Sequence, residues 1–246
     1  MAVRTVLTVP GTTEPQSPTG VPLGMLANVT QVLTPERFTC RQVDYPQAFF
    51  SPMSEVESMA VGVENLDSAV RTISGPVVLL GFSQGSQVLR RFLATTDTVV
   101  AAVGLIADPY RPLGVQQGPS LAGSGIAGTV AMWPEDIPVF EIAAADDAIC
   151  NSAADSLLRP LAASLPFLSM TDPDTWMLTL LKNAAGVEWD CTPDDPPTPR
   201  RIAQATEDLL GFAVEGHHVQ YRTSTFPGSP LTYCQYLATL ISEASR

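Results

Sequence analysis

The chain has 246 residues, 45% hydrophobic and 15% charged, which allows one large α/β domain and lacks the high-charge, low-hydrophobicity signature of disorder. Thirteen Lys and Arg against 25 Asp and Glu leave a net charge of −12, a balance that repels nucleic acid and suits a neutral or apolar substrate. No run of about 18 apolar residues occurs, so no membrane-spanning helix is expected, and the first ten residues lack the charged-then-apolar layout of a secretion signal.

Residues 3–9 form an apolar run that reads as a buried strand, followed by a turn-rich loop over residues 11–20. Residues 21–33 suit a helix with Pro22 in its first turn, and residues 38–43 a second strand. The clearest helix spans residues 54–73. Val56, Met59, Val63, Leu66 and Val70 recur at the spacing of one buried face, and Ser54 with Glu57 forms a capping-box pattern. After Gly75-Pro76, the wholly apolar residues 77–80 suit a central parallel strand covered on both faces. A turn over 81–85 and a helix over 86–94 follow, then buried strands over 99–107 and 137–145. This alternation predicts a mostly parallel sheet with helices on both faces. Residues 151–216 hold helical stretches around 153–163, 174–184 and 200–214, separated by proline-rich spacers, and read as an inserted helical linker or lid within a single domain over 1–246. A last helix over 230–244 takes Ser229 as N-cap and Pro230 at its first position.

The sharpest local signal is Gly81-Phe82-Ser83-Gln84-Gly85. Gly-x-Ser-x-Gly alone is common in loops; its place between an apolar strand and a helix makes it specific for a nucleophile turn. Such a turn lifts the serine hydroxyl above the sheet, and the helix behind it offers free N–H groups, Gln84 N–H among them, to a developing oxyanion. A serine nucleophile needs a base, and the chain has only His217 and His218, both downstream. An acid is expected just after a strand. Asp146 and Asp147 close one such strand and Asp108 another, and spacing does not separate the three. Cys40, Cys150, Cys191 and Cys234 are widely spaced and the histidines adjacent, so no zinc site is expected. Cys150 and Cys191 are a candidate pair.

Four motifs resemble cutinases. Pro10-Gly11-Thr12-Thr13-Glu14 resembles the cutinase Arg-Gly-Ser-Thr-Glu, and Gly81-Phe82-Ser83-Gln84-Gly85 resembles Gly-Tyr-Ser-Gln-Gly. Asp147-Ala148-Ile149-Cys150 resembles Asp-x-x-Cys, and His218-Val219-Gln220-Tyr221 resembles His-x-x-Tyr. The resemblance implies a cutinase-like α/β-hydrolase with Ser83 as nucleophile, His218 as base and Asp147 as acid. It also implies an oxyanion hole from Thr12 and Gln84, and no metal or organic cofactor. The 70 residues between Asp147 and His218 depart from plain cutinases. They are similar to the helical linker of the lysin B group of mycobacteriophage endolysins. Asp44-Tyr45-Pro46-Gln47-Ala48-Phe49-Phe50 and Gly125-Ile126-Ala127-Gly128 also resemble that group and the PE-PPE esterase domain. The lysin B resemblance implies hydrolysis of the ester joining mycolic acids to arabinogalactan, by a monomer that acts on a lipid ester of the mycobacterial envelope after release from the host, with no nucleic-acid partner and no stable membrane insertion. The alternatives are a general cutinase, lipase or PE-PPE-type esterase on other lipid esters, or a non-catalytic wall-binding or phage structural module. Apolar residues of the insert, from Leu157 and Leu158 to Trp176 and Leu181, would either flank an acyl groove or pack the insert onto the domain. Asp108-Pro109 departs from an expected Asn-Pro and sets a further carboxylate near the site.

Overall fold

The apolar runs at the centre of the chain pair side by side as strands because each buries both faces. In the computed structural model, which describes residues 3–128, 136–164 and 198–245, the strands are β1 (Arg4–Val9), β2 (Phe38–Gln42), β3 (Val77–Phe82), β4 (Val100–Ile106) and β5 (Val139–Ile142). They form one sheet in the order β2-β1-β3-β4-β5, and every pairing is parallel.

Side chains alternate across this sheet with period two. Val6, Val78, Leu80, Ala102 and Ile106 enter one apolar cluster, with Met25, Leu26 and Val29 from α1 (Gly24–Thr30). Leu7, Leu79, Val103 and Leu105 enter the other, with Met59 and Leu66 from α2 (Glu55–Arg71) and Val88, Leu89 and Phe92 from α3 (Gln84–Leu93). Burial on both faces explains why β3 and β4 read as continuous apolar runs. The result is the expected α/β-hydrolase arrangement, a parallel sheet with helices on both sides. Its strand order reverses direction between β1 and β3, and loops at the carboxyl ends of such a pair are where α/β sheets place ligands. Those loops carry Thr12 and Ser83.

The Ser54–Glu57 capping box forms as expected, with Ser54 accepting from Glu57 N–H and Glu57 from Ser54 N–H. Other boundaries move. The first helix starts at Gly24, not residue 21, so Pro22 precedes it. The Glu14 carboxylate accepts from Met25 N–H at 2.6 Å, and a Cβ on Gly24, whose φ is +63°, would stand 2.3 Å from Glu14 Oε1. A distant carboxylate, rather than a local cap, sets this start. The last helix is Tyr233–Ala244, capped by a Thr232–Gln235 box and not by Ser229. Phe226 N–H bonds Leu231 O and Ser229 N–H bonds Phe226 O, which commits residues 226–231 to a tight turn.

Within the region read as an insert, residues 151–158 are mostly turns and α4 covers only Arg159–Ser164. The helix expected over 200–214 is α5 (Pro199–Leu210), which runs into a wider π-type turn at Gly211–Glu215. Tyr233–Ala244 is α6. The helix expected over 174–184, together with Trp176, Leu181 and Cys191, lies outside the described residues. Among those described, no helix is long and apolar enough to cross a membrane.

Candidate active site

β3 delivers Ser83 to a sharp turn. Its φ of 52° and ψ of −118° are a conformation that L-residues rarely adopt, and α3 starts at the next residue. Two glycines make the turn fit. A Cβ on Gly85 would lie 1.9 Å from Val9 O, and one on Gly81 would lie 2.9 Å from Gly85 O and Ser86 N. Helix and strand thus approach to backbone contact, and Ser83 N–H still donates to Ile106 O of β4 at 2.9 Å.

The histidine arrives on a different device. After the π-type turn, Gly216 takes a left-handed conformation at φ 72°, and His217–Arg222 forms a 3-10 turn. Residues three apart in a 3-10 turn eclipse one another, so His218 and Tyr221 face the same way. Both reach Asp147, on the loop after β5. His218 Nε2 lies 2.8 Å from Ser83 Oγ, and His218 Nδ1 lies 3.0 Å from Asp147 Oδ2. An ionised carboxylate only accepts, so Nδ1 carries the ring proton and Nε2 accepts from the serine hydroxyl. Phe82 stacks on the imidazole at 5.3 Å, and Phe212 leans on it at 5.5 Å.

Asp147 is 1% exposed. Burial pushes its carboxyl up, but the charge of His218 and hydrogen bonds from His218, Tyr221 and Ile149 N–H outweigh that and hold it below the usual carboxylate value. Tyr221 Oη donates to Asp147 Oδ2 at 2.6 Å, Ile149 N–H to Oδ1 at 3.0 Å, and the Cys150 thiol stands 3.5 Å from Oδ2. Cys150 carries a free, buried thiol; Cys191, its candidate partner, lies outside the described residues. Arg111, fully buried, braces the acid loop through Cys150 O at 2.8 Å and Gly123 O at 2.5 Å.

The competing candidates point elsewhere. Asp108 turns inward to a buried ion pair with Arg90, which also binds Glu141. Asp146 is half exposed and accepts from Gln220 Nε2 at 2.6 Å. His217 takes Asp146 O at 3.0 Å and Glu215 at 2.9 Å. A cavity of about 430 Å³ beside the acid loop and α5 is lined by Asp146, Asn151, Gln204, Glu207, Asp208 and His217, among others. Neither Ser83 nor His218 lines it.

Gln84 heads α3 with its side chain turned away: Nε2 donates to Ala48 O at 2.8 Å, and Oε1 faces Ser58 Oγ at 3.5 Å. Its backbone N–H is one of the first-turn donors that a helix leaves without an internal partner. Thr12 sits half-buried on the loop after β1 and makes no hydrogen bond among the described residues. That loop is tied down by Glu14 on Gly11 N–H (2.9 Å), Thr13 N–H on Gln47 O (3.2 Å) and Tyr45 Oη on Pro10 O (2.8 Å). Glu14, Tyr45 and Tyr221 fall inside the quoted motifs, which give them no role by themselves. Arg90, Arg111 and Glu141 belong to no motif; a lone Glu within the otherwise apolar Val-Phe-Glu-Ile of β5 is their one signal in the sequence.

Over residues 30–104 the chain matches a family model described as PE-PPE domain. The matched stretch is less than half of the chain. It takes in residues 44–50 and the serine turn and stops before Asp147 and His218. No curated protein matches. Among solved structures, the chain is similar to a cutinase-like protein from Cryptococcus sp. at 17% identity, with 75% of this chain and 94% of that one covered and a TM-score of 0.42. It is similar to an acetyl xylan esterase at 20% identity, with 73% and 97% covered and a TM-score of 0.43. A Trichoderma reesei cutinase in complex with a phosphonate inhibitor matches at 22% identity, with 73% and 75% covered and a TM-score of 0.41.

Proposed function

We propose that this protein is a serine esterase of lipid esters and that its substrate is the ester between mycolic acids and arabinogalactan, cleaved as a phage-encoded lysis enzyme at the mycobacterial envelope. The observation that carries the esterase reading is one chain of contacts: Ser83 Oγ on His218 Nε2 at 2.8 Å, and His218 Nδ1 on buried Asp147 at 3.0 Å. Ser83 attacks the ester carbonyl as its proton passes to His218 Nε2. Asp147 holds the imidazole tautomer and stabilises the imidazolium. The N–H groups of Thr12 and Gln84 take the oxyanion, and losing one such donor typically costs about 10²- to 10³-fold in rate. The tetrahedral species collapses to the acyl-serine, and the departing alcohol takes the proton from His218. Water then attacks the acyl group, gives its proton to His218, and the acid leaves as Ser83 regains its hydrogen.

The mycolyl assignment is supported by the lysin B-like motifs, by the PE-PPE match across the serine turn, and by the apolar surround of the base. Phe212 leans on His218 while 47% exposed, and Leu209, Leu210, Val214 and Val219 are exposed nearby in sequence. Such a surround suits an acyl chain better than a polar one.

The test is to incubate the protein with mycolyl-arabinogalactan-peptidoglycan beside Ser83→Ala. Free mycolic acids from the wild type and none from the variant are expected. Turnover of p-nitrophenyl butyrate without mycolic acid release would overturn the substrate and leave a general esterase. Silence on both would overturn the enzyme.

A further inference from the structure

Asp147 is held by more than its histidine, and the strongest of the additional bonds comes from Tyr221. The Tyr221 ring is fully buried and packs edge-on against Tyr233, with centroids 5.3 Å apart. Its hydroxyl has one proton and three neighbours. Ala144 N–H points at the oxygen from 3.2 Å and can only donate. Asp147 Oδ2, at 2.6 Å, can only accept while ionised. Cys150 Sγ lies at 3.2 Å. The hydroxyl proton therefore goes to Asp147, and the oxygen accepts from Ala144 N–H. The same Oδ2 receives His218 Nδ1. Tyr221 thus links the backbone just beyond β5 to the carboxylate oxygen that orients the base, and the 3-10 spacing places both partners of that oxygen on one turn.

We propose that Tyr221 is a positioning residue that acts through Asp147: its hydroxyl fixes Oδ2 against His218 and stabilises the carboxylate in a dry site, so that losing the hydroxyl moves the acid edge of the activity range to higher pH. This rests on reading Ser83, His218 and Asp147 as an esterase relay. Asp147 and Cys150 face the hydroxyl directly, and the charge of Arg111 acts on the Cys150 thiol beside it. Tyr233 packs behind it, with Asp146 beyond. On the other side of the relay, Glu14 faces His218 and Arg222. Tyr221→Phe leaves all of these in place. Without the hydroxyl, the buried carboxylate holds its proton to a higher pH.

The experiment compares Tyr221→Phe with wild type on p-nitrophenyl butyrate across pH, after wild-type turnover and its loss in Ser83→Ala have fixed the esterase reading. A drop in kcat on the order of 10- to 100-fold is expected, the size of one hydrogen bond to a charged group. KM should hold, and the acid limb should move to higher pH. In an Asp147→Asn background, where the charged acceptor is gone, the same substitution should change the rate little. Wild-type kcat with an unmoved acid limb overturns the proposal. So does a loss that persists in full in the Asp147→Asn background, because that is the mark of a packing role. Should Tyr221→Phe fail to fold, Tyr221→Leu removes the same hydroxyl from Asp147 Oδ2. The same drop in kcat and the same movement of the acid limb are then expected, and wild-type kcat with an unmoved acid limb overturns the proposal.

Discussion

Two carboxylates stand on loops at the carboxyl ends of neighbouring strands, Asp108 after β4 and Asp147 after β5, and both are almost fully buried. Their partners differ. Asp108 pairs with Arg90, a permanent cation that also binds Glu141, deep between α3 and the sheet. Asp147 pairs with a histidine that is 13% exposed and whose other nitrogen touches Ser83. An arginine keeps its proton and so locks a charge in place. A histidine can gain and lose one near neutral pH and so passes it on. Burial alone therefore does not separate the two carboxylates; a histidine partner whose second nitrogen meets a serine does.

Removing one charge from each cluster separates the two. The largest expected effect is on Asp147→Asn, which should lower kcat about 10⁴-fold through the wrong imidazole tautomer while thermal denaturation stays close to wild type. An activity loss matched by a collapse in stability would make Asp147 a structural carboxylate like Asp108. Next in size is Arg90→Met, which strands Asp108 and Glu141 without their shared cation. Urea unfolding should show a loss of about 3–5 kcal/mol, while turnover per titrated Ser83 stays near wild type. Full stability in that variant would mean that the pair is dispensable.

The smallest expected effect lies in pH dependence. Burial pushes the Glu141 carboxyl well up from its ordinary value of 4.5, and the charge on Asp108 adds to this. The folded state then binds that proton more tightly than the unfolded chain, so stability falls as pH rises above about 4.5. Asp147 has the opposite sign: its lowered value contributes stability above the ordinary 3.8 that is lost as pH falls through the folded value. Urea titrations of Glu141→Gln should show a flatter decline on the rising side than wild type. Parallel curves would contradict the assignment.

Much of this was legible in the sequence because strands and turn impose local rules. Residues 77–82 cannot avoid being a doubly covered strand, and the glycines at 81 and 85 are demanded by contacts of 2.9 and 1.9 Å that no other residue would survive. The choice among Asp108, Asp146 and Asp147, or between His217 and His218, was not legible from spacing. It depends on which way each side chain leaves its loop, and for the histidines a 3-10 turn behind a left-handed Gly216 decides it. Arg90 illustrates the same limit. In sequence nothing separates it from its neighbour Arg91, yet the turn of the helix points it into the core at 2% exposure. Helix starts went astray where the cap was remote, as with Glu14 at α1, or where a tight turn had already claimed the backbone, as at residues 226–231.

Covalent trapping asks whether Ser83 is a nucleophile activated by His218. Incubation with a fluorophosphonate followed by mass spectrometry should find one adduct, on Ser83, in the wild type. Ser83→Ala should give none, and His218→Ala should label at a rate lower by orders of magnitude. An adduct on another residue, or labelling of the His218 variant at the wild-type rate, would contradict the account.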